Sequence, residues 1–206
     1  MIARLAFVFA LLTLVCVVLF TILGALGFPG YSHTAQFMSE LGARGAPHEK
    51  LIRFAGFLPA GVFMILFVIG AFKSLPRSAL TTLGLIGIAL YAMGYIVAVF
   101  FPCDFGCRPA QPSASQAIHN LFGLIGYVLA PLALVALGWG ARNWPDAGYL
   151  SWSAYIAAAV ALVGMITLSP KSPYVGLSQR LIESAVLIWV VMCAWYVRSQ
   201  LQRSRS

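Results

Sequence analysis

The stretch ALTTLGLIGIALYAMGYIVAVFF, residues 79–101, carries no charge and stops at Pro102-Cys-Asp-Phe-Gly-Cys107. A helix needs about 20 apolar residues to cross the hydrocarbon of a bilayer, and this run supplies them. Five further runs, 5–26, 51–72, 117–140, 149–168 and 178–197, read the same way. Their ends are punctuated by Phe28-Pro29-Gly30, Leu75-Pro76, Pro102, Trp144-Pro145, Pro170 and a basic tail. Proline and glycine so placed stop helices. The pattern predicts an all-α integral membrane protein, one domain over residues 1–206 folded as a bundle of six transmembrane helices.

Composition agrees with this class. The chain is 61% hydrophobic and 9% charged, where a soluble domain carries roughly 25% charged residues. A membrane barrel would need alternating strands of about ten residues, and none are present. The first run exceeds the usual 7–15 apolar residues of a signal peptide, so it is expected to be retained. Small residues recur inside the runs at Gly56, Ala60 and Gly61, at Gly84, Gly87 and Gly94, and at Gly123 and Gly126. In lipid they suit close helix–helix approach.

The net charge of +8 divides by side. With the N-terminus inside, the cytoplasmic segments hold Arg4, Lys73, Arg77, Arg142, Arg198, Arg203 and Arg205 against Asp146. The other face holds Arg44, Lys50, Arg53, Arg108, Lys171 and Arg180 against Glu40, Glu49, Asp104 and Glu183. The tail lies beside a span end, where the positive-inside rule acts most strongly. Both termini are therefore expected in the cytoplasm, with the chain in a cell membrane. The tail is short and lacks interleaved aromatics, so anionic lipid headgroups rather than nucleic acid are its expected partners.

Glu40, Glu49, Asp104, Glu183, His33, His48 and His119 all fall in or beside the odd-numbered links, 28–50, 102–116 and 169–177. Titratable groups are expensive in a bilayer, so their gathering at one face points to a polar site there. Ser39, Glu40, Asp104 and His119 are the candidate catalytic residues, and Arg180, Gln179, Glu183 and His33 the candidate substrate-binding ones. Ser39, His119 and Asp104 have the types needed for a nucleophile, base and orienter. A metal-hydrolase version would use His119 and Asp104 with His33 or Glu40 around an activated water. Structural alternatives stand beside each. Ser39 and Glu40 suit the cap of a short interfacial helix, His119 a hydrogen-bonded helix end, and Arg180 with Glu183 an internal pair three apart on one face.

Of the four cysteines, Cys16 and Cys193 lie mid-span and read as packing residues. Cys103 and Cys107 bracket the third link and are disulfide candidates if that link is extracytoplasmic, with free thiols or a metal pair as alternatives. No Gly-x-Ser-x-Gly, His-Glu-x-x-His or Gly-x-Gly-x-x-Gly occurs, so neither a cofactor nor a metal is named by spacing. Because all three histidines lie toward one face, a pair of haem ligands is not expected.

Tyr31-Ser32-His33, Ser39-Glu40-Leu41-Gly42, Phe101-Pro102-x-Asp104, His119 and Gly176-Leu177-Ser178-Gln179-Arg180, in this order, resemble the bacterial membrane family called domain of unknown function 998. The resemblance runs through most of the chain and implies a compact multi-span protein of about this length, with no activity attached. In outline the chain is more distantly similar to the Frag1/DRAM group of six-span proteins, some tied to lipid remodelling. It departs from the alkaline-ceramidase-like membrane hydrolases, lacking their paired histidines on a late span.

The reading that follows is a lipid-modifying or hydrolytic enzyme acting on an outer-leaflet lipid or lipid-like amphiphile. The alternatives are a non-catalytic accessory or structural protein, and a binder or permease for a small solute or lipid. No internal repeat suggests an inverted-repeat transporter. Oligomeric state is not legible.

Overall fold

The computed structural model describes residues 1–203, with side chains as far as residue 200. Arg205, counted above in the basic tail, lies outside the described residues. Six helices are long and apolar enough to cross a membrane: α1 Ile2–Leu26, α2 Glu49–Ser74, α3 Ala79–Phe100, α4 Ala114–Ala141, α5 Gly148–Thr167 and α6 Val175–Arg203. Among the described residues there is no strand.

Five helices begin earlier than hydropathy alone indicates: α1 at Ile2 rather than 5, α2 at Glu49 rather than 51, α4 at Ala114 rather than 117, α5 at Gly148 rather than 149 and α6 at Val175 rather than 178. Hydropathy marks where hydrocarbon begins, whereas a helix begins where its first amides find acceptors. For α4 that acceptor is Ser113, whose Oγ takes the Gln116 N–H at 3.1 Å. His119 therefore stands in the second turn of α4, not the first.

Each helix packs on the next along the chain, and α6 packs on α1, so the six close into a ring. α1 shows how the sequence permits this. Its buried residues are Ala3, Ala6, Ala10, Thr13, Val17, Thr21 and Gly24, recurring every three or four positions. They put mostly small side chains along one stripe, while Leu5, Val15, Leu19 and Ile22 face outward. Between helices in lipid there is no hydrophobic gain from association, so close packing of small residues has to hold the ring. Gly70 of α2 sits against Ala6 of α1, and Gly84 and Gly87 of α3 sit against Leu137 and Ala133 of α4.

Helix α2 contains a π-helical turn over Ile52–Phe57. Pro59, one residue into the α-helical part that follows, has no N–H to offer the carbonyl of Ala55, and the backbone before it widens. Pro131 likewise lies inside α4 and leaves the carbonyl of Tyr127 without its helical donor.

The even-numbered links are short, and Tyr196 of α6 reaches the second of them, donating to the Pro145 carbonyl at 2.9 Å. The three odd-numbered links are tied to one another at the other end of the ring. Arg44 N–H donates to the Cys103 carbonyl at 2.9 Å, and Leu177 N–H to that of Thr34 at 3.0 Å. Arg108 donates to the carbonyls of Pro170 and Ala35, each at 2.9 Å.

Close packing gives a direct test. A Cβ added at Gly84 would meet the Leu137 side chain and lie 3.0 Å from the Ala133 carbonyl oxygen, whereas one at Gly148 meets nothing within 4 Å. Gly84→Ala should therefore cost about 1–3 kcal/mol of stability, read as a lower melting temperature in detergent. Gly148→Ala should match the wild type or exceed it.

Candidate functional site

The deepest polar group at the loop-rich end is Glu183, about two turns into α6 and 6% exposed. Tyr91 and Tyr95, one turn apart on α3, both donate their hydroxyls to its Oε2. Tyr127 of α4 donates to Oε1 at 2.8 Å. A carboxylate cannot be buried in a helix bundle without such partners, and each hydrogen bond to a charged group contributes roughly 1.5–3 kcal/mol. Gln179, one turn above Glu183, donates to the Tyr127 hydroxyl at 2.6 Å and accepts the Met38 N–H at 2.6 Å. A continuous chain of hydrogen bonds thus runs from the interior of the ring to the first link.

There the chain turns through a short 3-10 helix, Met38–Gly42. Glu40 holds its start: Oε1 accepts the Phe37 N–H at 2.9 Å and Oε2 accepts Gln36 Nε2 at 2.8 Å. Arg108 pairs with Glu40 at 3.2 Å from the third link. Arg180 also serves this link. It donates to the Tyr31 hydroxyl at 2.8 Å, His33 Nδ1 at 2.9 Å and the carbonyls of Gln36 and Gly176 at 3.2 and 3.0 Å. The internal Arg180–Glu183 pair, given above as the structural alternative, is not what forms. The long Arg180 side chain runs toward the loops while Glu183 turns into the bundle. Partial burial, and then the Arg180 guanidinium, hold His33 below its ordinary pKa, which keeps Nδ1 free to accept. Burial pushes the Tyr31 hydroxyl up, with Arg180 opposing. Gly176 sits so close to the carbonyls of His33 and Gln36 that a side chain has no room there.

His119 of α4 has Nδ1 3.1 Å from the Phe101 carbonyl. A donor is needed for that contact, so the proton belongs on Nδ1 and Nε2 is the basic nitrogen. Asp104 is placed elsewhere. Its carboxylate accepts the Ser113 N–H at 2.9 Å and the Ser113 hydroxyl at 2.7 Å, fixing the start of α4. Those bonds, together with Arg44, hold Asp104 below the usual carboxylate range despite partial desolvation. The structure therefore does not assemble Ser39, His119 and Asp104 as nucleophile, base and orienter: a backbone carbonyl orients the histidine. Among the described residues no three His, Cys, Asp or Glu side chains gather as metal ligands. Glu40 and His33, offered above for that role, are engaged with Phe37, Gln36, Arg108 and Arg180. Cys103 and Cys107 are joined as a disulfide with Cα atoms 5.1 Å apart, and Ser39 Oγ lies 3.5 Å from Cys107 Sγ.

Between these groups runs a narrow cleft of about 60 Å³. Glu183, Tyr91, Tyr95, Tyr127 and Gln179 line it with Ser39, His119, Phe57, Phe122 and Gly123. A neighbouring hollow shares Ser39, His119, Gly123, Tyr127 and Gln179 and continues past Leu124, Met165 and Leu168. Leu124 is 61% exposed on the apolar outside of the ring, so this second hollow reaches the surface that lipid covers. A Cβ at Gly123 would meet nothing within 4 Å, as expected of a residue that borders open space. Of the eight candidate residues, Ser39, His119, Gln179 and Glu183 share the cleft, while Glu40, Asp104, Arg180 and His33 hold the loops around it. The three tyrosines had not been singled out from sequence. Their signal was Tyr91 and Tyr95 at i, i+4 on one face of a charge-free span.

The family model described as protein of unknown function (DUF998) matches residues 7–196. No curated protein matches the chain, and no solved structure does.

The Asp104 contacts set a pH test. A carboxylate whose pKa falls on folding contributes stability above its unfolded value and loses it as pH drops through the folded one. Asp104→Asn should therefore melt below the wild type at neutral pH, and the gap should close on acidification below the ordinary carboxylate range, followed by tryptophan fluorescence in detergent.

Proposed function

The chain belongs to the family described as protein of unknown function (DUF998), and we propose that it takes up the polar head of a lipid-like amphiphile in the cleft floored by Glu183. The observation that carries this reading is the pairing of a buried polar floor with a second hollow that reaches the lipid-covered outside past Leu124 and Met165. An amphiphile needs those two surroundings at once, polar contacts for its head and an apolar exit for its chain. Glu40, Arg108 and Arg180 act on this reading as roof supports, since their polar atoms are engaged with the first link, and Asp104 holds the start of α4.

The same reading orients the protein. A disulfide persists in oxidising compartments, so Cys103–Cys107 favours an extracytoplasmic loop-rich end. The basic residues near the other end favour cytoplasmic termini under the positive-inside rule. In a bacterium this would be the inner membrane, and the head bound would belong to the outer leaflet.

Hydrolysis is a second reading, supported by His119. With Nδ1–H on the Phe101 carbonyl, Nε2 is left as a base in the cleft that Ser39 also lines. His119 would accept the Ser39 proton as Oγ adds to an ester or amide carbonyl and return it to the alcohol or amine that departs when the C–O or C–N bond breaks, after which water would hydrolyse the acyl-serine, with no part for Asp104. Ser39→Ala and His119→Ala should then each abolish turnover of such a substrate, and Asp104→Asn should retain it at neutral pH.

Gly123 gives the test of the main reading. Leucine at this position would extend into the cleft from a Cβ that meets nothing within 4 Å. Native mass spectrometry of protein purified from its own membranes should show an added lipid-sized mass. Gly123→Leu should lose it with an unchanged melting temperature. A bare polypeptide mass in the wild type would sink the proposal.

A further inference from the structure

Resting on that reading, we infer that the head taken up in the cleft is cationic: an ammonium group, from primary to quaternary, held by Glu183 and the aromatic rings around it.

The lining has one carboxylate and neither lysine nor arginine. The basic residues nearest by position are engaged elsewhere, Arg180 with Tyr31, His33 and two carbonyls, and Arg108 with Glu40 and two more. An anionic head would bring its charge up to Glu183 with no counter-charge in the lining. A cation meets the opposite case. A carboxylate offers about four lone-pair positions, and the tyrosine hydroxyls fill three, leaving room for one N–H donor.

The rings supply the rest. Tyr91 and Tyr95 stand 5.8 Å apart between centroids and 84° to one another, Tyr91 and Tyr127 6.3 Å and 48°, and Phe57 and Tyr95 6.2 Å and 55°. They are inclined walls rather than a stack, and ring faces within about 6 Å attract a cation through their quadrupoles. That attraction is strongest where water is excluded, as beside a carboxylate that is 6% exposed. A quaternary group, lacking any N–H, is recognised by the rings and the charge together. Phospholipid headgroups and free soluble ammonium compounds share this chemistry.

The test uses the full chain in a maltoside detergent, titrated with choline and with tetramethylammonium chloride and followed by intrinsic fluorescence and calorimetry. Sodium chloride and inorganic phosphate serve as comparison probes. Both ammonium probes should bind saturably, and Glu183→Gln should weaken them by at least about tenfold. Because Glu183→Gln also alters the hydrogen-bonded floor, Tyr95→Phe and Tyr95→Leu provide a second comparison. Both lose the hydroxyl bonded to Glu183 and only the phenylalanine keeps the ring, so the phenylalanine should bind the ammonium probes several-fold more tightly than the leucine. Choline binding lost in phosphatidylcholine nanodiscs but kept in phosphatidylglycerol ones identifies a lipid headgroup as the natural occupant. Equal binding in both identifies a free ammonium compound.

Saturable binding of phosphate in place of the ammonium probes overturns the cationic assignment, saturable binding of sodium in their place overturns the ammonium one, and unchanged choline binding in Glu183→Gln overturns both. If phosphate binding is lost in Gly123→Leu, the cleft reading stands and this inference alone falls. If no probe binds and native mass spectrometry shows a bare chain, both fall.

Discussion

A carboxylate buried among helices is the constraint that the loop-rich half of this protein is arranged around. Glu183 is 6% exposed, and its desolvation must be offset by partners that the bilayer cannot provide. Tyrosine hydroxyls from α3 and α4 supply them. Those contacts cross the ring, joining helices that are not neighbours along it, and Gln179 carries the network up to the backbone of Met38. The first link is thereby held over the cleft, and Glu40, Arg108 and Arg180 fix its shape. The 3-10 helix over the cleft is thus tied through Gln179 and Tyr127 to the same acid.

How much of this was legible in the sequence depended on which physical signal each part carries. The six helices were legible because a bilayer demands long charge-free runs, and proline and glycine mark where these stop. Their starts were less so. Ser113 caps α4 before the apolar run begins, and a cap is a matter of local hydrogen bonding that hydropathy does not register. Membership of the family was legible from short motifs in order, and the model match over residues 7–196 agrees.

The site was legible in part. Polar residues near span ends were noticed, and Ser39, His119, Gln179 and Glu183 do line one cleft. Spacing misled at Arg180 and Glu183, because three residues apart on a helix permits a pair without requiring one. The flexible guanidinium found better acceptors among the loop carbonyls. Asp104 also drew attention by its charge, yet its carboxylate works on the local backbone. The tyrosines carry no such mark, because a phenol inside a charge-free span reads as an apolar ring while carrying one hydroxyl that decides what it can hold. An aromatic residue repeating at i, i+4 inside a charge-free span is the feature worth weighing.

Ring closure has a consequence for how the molecule is made. Translation delivers the helices in order, so Tyr91, Tyr95 and Tyr127 enter the membrane before Glu183 is synthesised. The acid arrives on α6, the helix that also seals the ring against α1. Before that step the hydroxyls have no carboxylate to serve and α1 has an open flank of small residues. The costly side chain of Glu183 thus enters on the helix that closes the ring, and the donors that satisfy it are already in the membrane when it arrives.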